Sequence, residues 1–98
     1  MTSEEKMAEE REDLRELPPV NFSMFILSLN TSALVHLGQI PDPQTQQKKT
    51  DLALARQTID ILDMLKEKTK GNLTRDEEKL LDSILYELRV LYLKVSGG

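Results

Sequence analysis

The segment from Asn21 to Gly38 constrains the fold most, because its pattern is that of a helix with apolar side chains on two opposite faces. At 100° per residue, one face collects Phe22, Phe25, Ile26, Leu29, Ala33 and Leu37. The opposite face collects Met24, Leu27, Leu34 and Val35. A surface helix needs only one apolar stripe, so the second stripe predicts a face that another molecule covers.

The length of the chain leaves little material to cover that second stripe from within. A chain of 98 residues forms one small domain, which buries roughly 60–65% of its unfolded surface. The sequence has no cysteine, so neither a disulfide nor a thiolate metal site can support the core. We therefore expect self-association through Met24, Leu27, Leu34 and Val35, with a homodimer favoured.

The net charge of −4 comes entirely from the first 17 residues. They hold seven acidic and three basic side chains, whereas the rest of the chain holds ten of each sign. We interpret residues 1–17 as a frayed or disordered acidic tail and residues 18–96 as a single helical domain. The neutral domain has no basic patch for nucleic acid. The acidic start is unlike a signal peptide, which begins with basic residues. The first helix is too short and too polar to span a membrane. We therefore expect a cytoplasmic location.

Local signals predict three helices, at about 22–37, 51–70 and 75–95. Asn21 is placed to cap the first helix and Thr50 the second, because their side-chain oxygens can accept from unpaired amides. Thr74 and Glu77 have the spacing of a capping box at the third. The link of about three residues between the second and third helices forces an antiparallel hairpin. No strand pattern is present, so the predicted fold is all-α, a helical hairpin plus one two-faced helix.

Two further features flank the first helix. Val20 precedes the cap and Phe25 follows it by four residues, which is the spacing of a hydrophobic staple. Gly38 stands where a left-handed residue commonly ends a helix, and Pro41 prevents continuation. The first helix is therefore expected to end near residue 37.

Three polar residues are the candidates for chemistry: His36, Asp42 and Asp60. His36 is the only histidine, and we interpret it as a structural residue on the seam between the two apolar stripes. We interpret Asp60 as the surface partner of Arg56 four residues earlier. Motifs such as E-x-x-H are missing. We therefore expect no catalytic residue, no metal site and no cofactor.

Several segments of the chain resemble the small bacterial family catalogued as the domain of unknown function DUF1844. The resemblance covers roughly residues 18 to 93 and rests on Phe22–Phe25, Ser32–Gly38, Ile40–Pro43, Ala55–Leu62 and Lys68–Thr74. It implies a bacterial, cytoplasmic protein and no assigned activity. The residues that match the family pattern include Ser32, His36, Gly38, Pro41, Asp42, Gln57, Thr58, Asp60 and Asn72.

Taken together, these patterns favour a non-enzymatic protein that self-associates as an interaction or scaffold module. A first alternative is a peripheral protein that lays its first helix on a membrane surface, although basic flanks are lacking. A second is a small metal-dependent enzyme using His36 and Asp60. The second stripe could also receive a helix of an unknown protein partner, and the sequence does not separate this from self-association.

Overall fold

The computed structural model describes Thr2, Ser3, Leu17 and residues 19–97. Over that part of the chain it contains three α-helices and no sheet: α1 (Phe22–His36), α2 (Leu52–Lys68) and α3 (Arg75–Val95). The all-α prediction is confirmed. The acidic tail predicted over residues 1–17 lies outside the described residues, apart from the three named above.

Two of the predicted helix caps are present. The Asn21 carboxamide oxygen accepts a hydrogen bond from the amide of Met24 at 2.8 Å. At α3, the amide of Glu77 donates to the Thr74 hydroxyl at 3.2 Å, and the amide of Thr74 donates to the Glu77 carboxylate at 2.8 Å. Each bond satisfies an amide that has no partner inside the helix. The capping box therefore fixes the start of α3.

The predicted cap of α2 is wrong by one residue. Asp51, not Thr50, is the N-cap, and its carboxylate accepts from the amide of Leu54 at 3.0 Å. Thr50 instead forms a single antiparallel bridge with Leu37, and the Asp51 amide donates to the carbonyl of His36 at 2.7 Å. The chain is thus held against the end of α1 through Thr50, which delays the start of α2.

The core forms where α1 lies across the hairpin of α2 and α3 and packs against both. Its apolar residues are almost fully buried: Ile26, Ala33 and Leu37 at α1, Ala55, Ile59 and Leu62 on α2, and Leu81, Ile84, Leu85 and Leu88 on α3. Burying a large apolar side chain stabilises the fold by about 1.5–3 kcal/mol. The side of α1 that carries Ile26 and Ala33, which we call the inner stripe, is therefore part of the core.

Two ion pairs join α2 to α3. Asp63 accepts a hydrogen bond from Arg89, and Lys66 lies 2.8 Å from Asp82. The order of the partners along the two helices is reversed, as in an antiparallel hairpin. The hydrogen bond to Asp82 and its charge raise the pKa of Lys66. Because these side chains are about half exposed, the pairs orient the helices more than they stabilise them.

Candidate functional site

The candidate site is the outer face of α1, which we define as Met24, Leu27, Ser28, Thr31 and Val35. These residues fall within an arc of about 100° on the side opposite the core residues Ile26 and Ala33. Met24 is 42% exposed and Leu27 is 41% exposed, and Val35 is half-buried. Apolar surface on both sides of Ser28 and Thr31 therefore remains open on the described surface of a single chain.

The four predicted interface residues occupy different positions relative to the core. Met24 and Leu27 are exposed, Val35 is half-buried, and Leu34 is partly buried and packs against the core. Leu34 lies at the border between the outer face and α1's inner stripe. The open part of the second stripe is therefore Met24, Leu27 and the exposed side of Val35.

Phe25 lies on neither the outer face nor the core side of α1. The sequence pattern placed it in the inner stripe and in a staple with Val20. In the structure Phe25 is 47% exposed and Val20 is 98% exposed, so the staple prediction is wrong. Phe25 lies about 100° around the helix from the centre of the buried arc, beyond the reach of the hairpin. It extends the apolar surface of α1 next to the outer face.

The polar side chains of the outer face already have hydrogen-bond acceptors within α1. The Ser28 hydroxyl donates to the carbonyl of Phe25 at 2.7 Å, and the Thr31 hydroxyl donates to the carbonyl of Leu27 at 3.1 Å. A hydroxyl bonded to its own helix leaves no unpaired donor when the surface is covered. These two short side chains can therefore lie inside an interface without a compensating partner.

The outer face also lacks charge. α1 contains no Asp, Glu, Lys or Arg, whereas α2 contains six and α3 contains nine such residues. Solvent-facing helices normally carry charged side chains on the face opposite the core. Among the three described helices, α1 therefore differs in having no charged Asp, Glu, Lys or Arg on its solvent-facing side.

His36 and Asp42 lie together, beside the end of α1. Both line two open clefts of about 300 and 390 Å³ between α1 and the loop of residues 42–51. The Asp42 carboxylate accepts from the amide of Gln44 at 2.8 Å, and the Asp42 carbonyl accepts from the amide of Gln46 at 2.7 Å. Asp42 therefore holds the turn of its own loop.

Asp60 lies in a different groove, between α2 and α3. That groove has a volume of about 310 Å³ and is lined by Arg56, Asp63, Arg89 and Tyr92 among others. Neither His36 nor Asp42 lines it, so the structure does not bring Asp60 into the site that they share. The expected Arg56–Asp60 ion pair is wrong, since no contact within 4 Å joins them among the described ion pairs.

The described residues offer neither a metal site nor a membrane-spanning helix. Within the described ranges, no group of three His, Cys, Asp or Glu side chains is placed to hold a metal ion. The metal-dependent alternative required His36 and Asp60 to converge, and they line separate clefts. No helix over those ranges is both long and apolar enough to cross a bilayer.

The contacts around Gly38 and between the two ion-paired helices were not anticipated from the sequence. Gly38 has the predicted left-handed backbone, with φ of +72°. Its close approach to Thr50 depends on a loop of eleven intervening residues, which no local pattern reveals.

The Lys66–Asp82 and Arg89–Asp63 pairs likewise join residues of different helices. Their acidic and basic residue types at opposing hairpin positions were the available signal.

Comparison with known proteins identifies a family and no activity. The family model described as "Domain of unknown function (DUF1844)" matches residues 19–94. No curated protein and no solved structure is significantly similar to the chain. Because the match covers most of the sequence, the chain belongs to the DUF1844 family.

Proposed function

We propose that this DUF1844 member is a non-enzymatic interaction module that self-associates as a homodimer through the outer face of α1. The observation that carries the proposal is that Met24 and Leu27 are each about two-fifths exposed on a helix without a single charged Asp, Glu, Lys or Arg. Exposed apolar surface is a common mark of a protein contact. The family resemblance of the sequence supports a bacterial, cytoplasmic module.

A second copy of the chain suits this face because the face is electrically neutral. Two identical charged patches would repel each other, but two uncharged faces can meet about a two-fold axis without that cost. A partner with many charges would leave them buried against apolar side chains without counter-ions. The same apolar face is thus its own best complement.

The size of the face sets the expected strength of the dimer. A helix of 15 residues is about 22 Å long. Two such faces in contact bury roughly 800–1,000 Å² in total, which is below the roughly 1,200–2,000 Å² of stable interfaces and in the range of weak or transient contacts. We therefore expect a weak homodimer, with a Kd in the micromolar range.

Sedimentation equilibrium of the full chain tests the proposal, over about 5 to 500 µM to bracket such a Kd. We expect a reversible monomer–dimer equilibrium for the parent. Leu27→Glu introduces a charge that would be desolvated in the dimer, so this variant is expected to stay monomeric across the range. Circular dichroism checks that the variant keeps its helices and its cooperative thermal transition.

Met64→Glu is the matched control. Met64 is an apolar side chain on α2 with 47% exposure, similar to that of Leu27, and it lies off the outer face. This variant is expected to dimerise like the parent. A parent that is monomeric throughout, or a Leu27→Glu variant that dimerises as well as Met64→Glu, would contradict the proposal.

Non-enzymatic action is supported by the positions of the polar candidates. Asp42 is engaged by its own loop, and His36 and Asp60 line separate clefts. The membrane-surface alternative has less support, because the helix offers no Lys or Arg to anionic headgroups. Flotation with vesicles of phosphatidylglycerol and phosphatidylethanolamine is expected to leave the protein unbound, and co-flotation abolished by Leu27→Glu would favour the membrane alternative.

A further inference from the structure

We infer that the two copies meet with their α1 helices antiparallel, so that Met24 of one protomer faces the partner's Val35. This inference rests on the proposed self-association and assigns its geometry. It follows from four features: the order of the outer-face residues of α1, the hydrogen bonding of its short polar side chains, the charge of the chain that leads into it, and the charge of the loop beside its end.

The outer-face residues are arranged so that an antiparallel pair is complementary. Met24 and Leu27 lie in the first half of α1, and Val35 lies near its end. With the two-fold axis between residues 29 and 30, the long Met24 side chain meets the shorter side chain of the partner's Val35. A parallel pair would place Met24 against its own copy and Val35 against its own copy, which matches large with large and small with small.

The same axis places the short side chains Ser28 and Thr31 at the crossing point, where two helix axes approach most closely. Small residues permit such an approach, and packed helices lie about 8–10 Å apart. Both hydroxyls are already bonded to carbonyls of their own helix. The crossing can therefore lose its water without leaving a donor unpaired.

The charge of the leading segment opposes a parallel pair. Residues 1–17 carry seven acidic and three basic side chains and connect to the beginning of α1. A parallel pair would join two such segments side by side. An antiparallel pair separates their points of attachment by the length of α1, about 22 Å, which exceeds two Debye lengths at physiological salt.

The end of α1 offers the opposite charge to a partner's acidic segment. Lys48 and Lys49 are exposed in the loop that lines the cleft beside Val35 and His36, and neither forms an ion pair with another described residue. In an antiparallel pair, the acidic segment of one protomer joins α1 at the end nearest these two lysines of its partner. Opposite charges at that end favour this orientation over the parallel one.

Disulfide crosslinking of the full chain tests the orientation on a clean background, because the parent has no cysteine. Met24→Cys and Val35→Cys are prepared separately, one with a size tag, and are oxidised alone and as a mixture. In the antiparallel pair, equivalent Met24 positions are displaced by about 16 Å along the axis. A disulfide needs Cα atoms within about 7 Å, so the mixture is expected to give the mixed-size two-chain species and each variant alone is expected to remain single-chain.

The outcomes separate the orientation from the self-association itself. Crosslinking of Met24→Cys alone and Val35→Cys alone, without the mixed species, would overturn the antiparallel inference and leave the homodimer in place. A sedimenting dimer that gives no crosslink from either variant alone or from their mixture would overturn both proposals, because the contact would lie elsewhere. Met64→Cys, on the exposed side of α2, sets the background from random collisions.

Discussion

A β-carbon added to Gly38 would lie 2.5 Å from the hydroxyl oxygen of Thr50, a distance that real β-carbons essentially never show. Gly38 also has a φ of +72°, a backbone conformation that residues with a side chain rarely adopt. The two residues meet where the end of α1 is bridged to the start of α2. The glycine therefore serves both the left-handed end of the helix and the close approach of the following loop.

Replacing Gly38 by alanine is expected to lower the free energy of unfolding by about 1–3 kcal/mol. Part of that loss comes from the left-handed backbone and part from displacement of Thr50. Urea denaturation followed by circular dichroism, at a concentration where the chain is monomeric, measures the sum. Gly71→Ala is the matched control, since Gly71 has a φ of +81° and no atom within 4 Å of its added β-carbon.

The double variant Gly38→Ala with Thr50→Ala separates the two contributions. Removing the Thr50 hydroxyl removes the atom nearest to the added β-carbon. Gly38→Ala loses more free energy of unfolding than Gly71→Ala, and the double variant is expected to regain most of that extra loss. Equal losses in Gly38→Ala and Gly71→Ala would mean that Thr50 moves aside without cost.

Asp51 is expected to contribute more to α2 than Thr50 does. Asp51→Ala removes the acceptor of the Leu54 amide and should lower the free energy of unfolding by about 1 kcal/mol. Thr50→Ala removes no cap and should cost less. Asp51→Asn retains a capping oxygen and should restore most of the loss. A larger loss in Thr50→Ala than in Asp51→Ala would contradict the observed start of α2.

The Lys66–Asp82 pair is expected to make stability depend on pH under alkaline conditions. Its hydrogen bond and opposite charge raise the pKa of Lys66 above the ordinary 10.5. The contribution is therefore complete below the unfolded-state pKa and is lost as the pH rises through the higher folded-state pKa. The difference in thermal stability between the parent and Asp82→Asn should be constant near neutral pH and shrink above pH 10.5.

High salt provides a second check on the same pair. Because both side chains are more than half exposed, dissolved ions screen their attraction. The difference between the parent and Asp82→Asn at pH 7 should fall as sodium chloride is added. A difference that is unchanged by both salt and alkaline pH would show that Asp82 acts by some means other than its charge on Lys66.

The caps of α1 and α3 could be predicted because each depends on residues within one turn of the other. Asn21 with Met24, and Thr74 with Glu77, are separated by three residues, so the sequence contains the whole contact. The cap of α2 could not be placed in the same way. Its start depends on the bridge between Thr50 and Leu37, which forms only when the loop folds back on α1.

The periodicity of the first helix predicted two apolar stripes, but not where each stripe ends. The periodicity puts Phe25 in the inner stripe, but Phe25 is exposed. It puts Leu34 in the outer stripe, but Leu34 packs against the core. Both lie at the borders between stripes. A rotation of the docked helix by a few tens of degrees decides which border side chain the hairpin covers, and that rotation is set by the packing of all three helices.

The sequence by itself determined that residues 19–97 form three α-helices, because caps, apolar periodicity and short links act over a few residues. It also determined that the first helix carries no charged Asp, Glu, Lys or Arg on any side. Only the tertiary structure decided that Met24 and Leu27 stay open while Leu34 is drawn to the core, and that His36 and Asp60 line separate clefts. Those outcomes depend on how α1 lies across the hairpin, which is a contact between residues far apart in the chain.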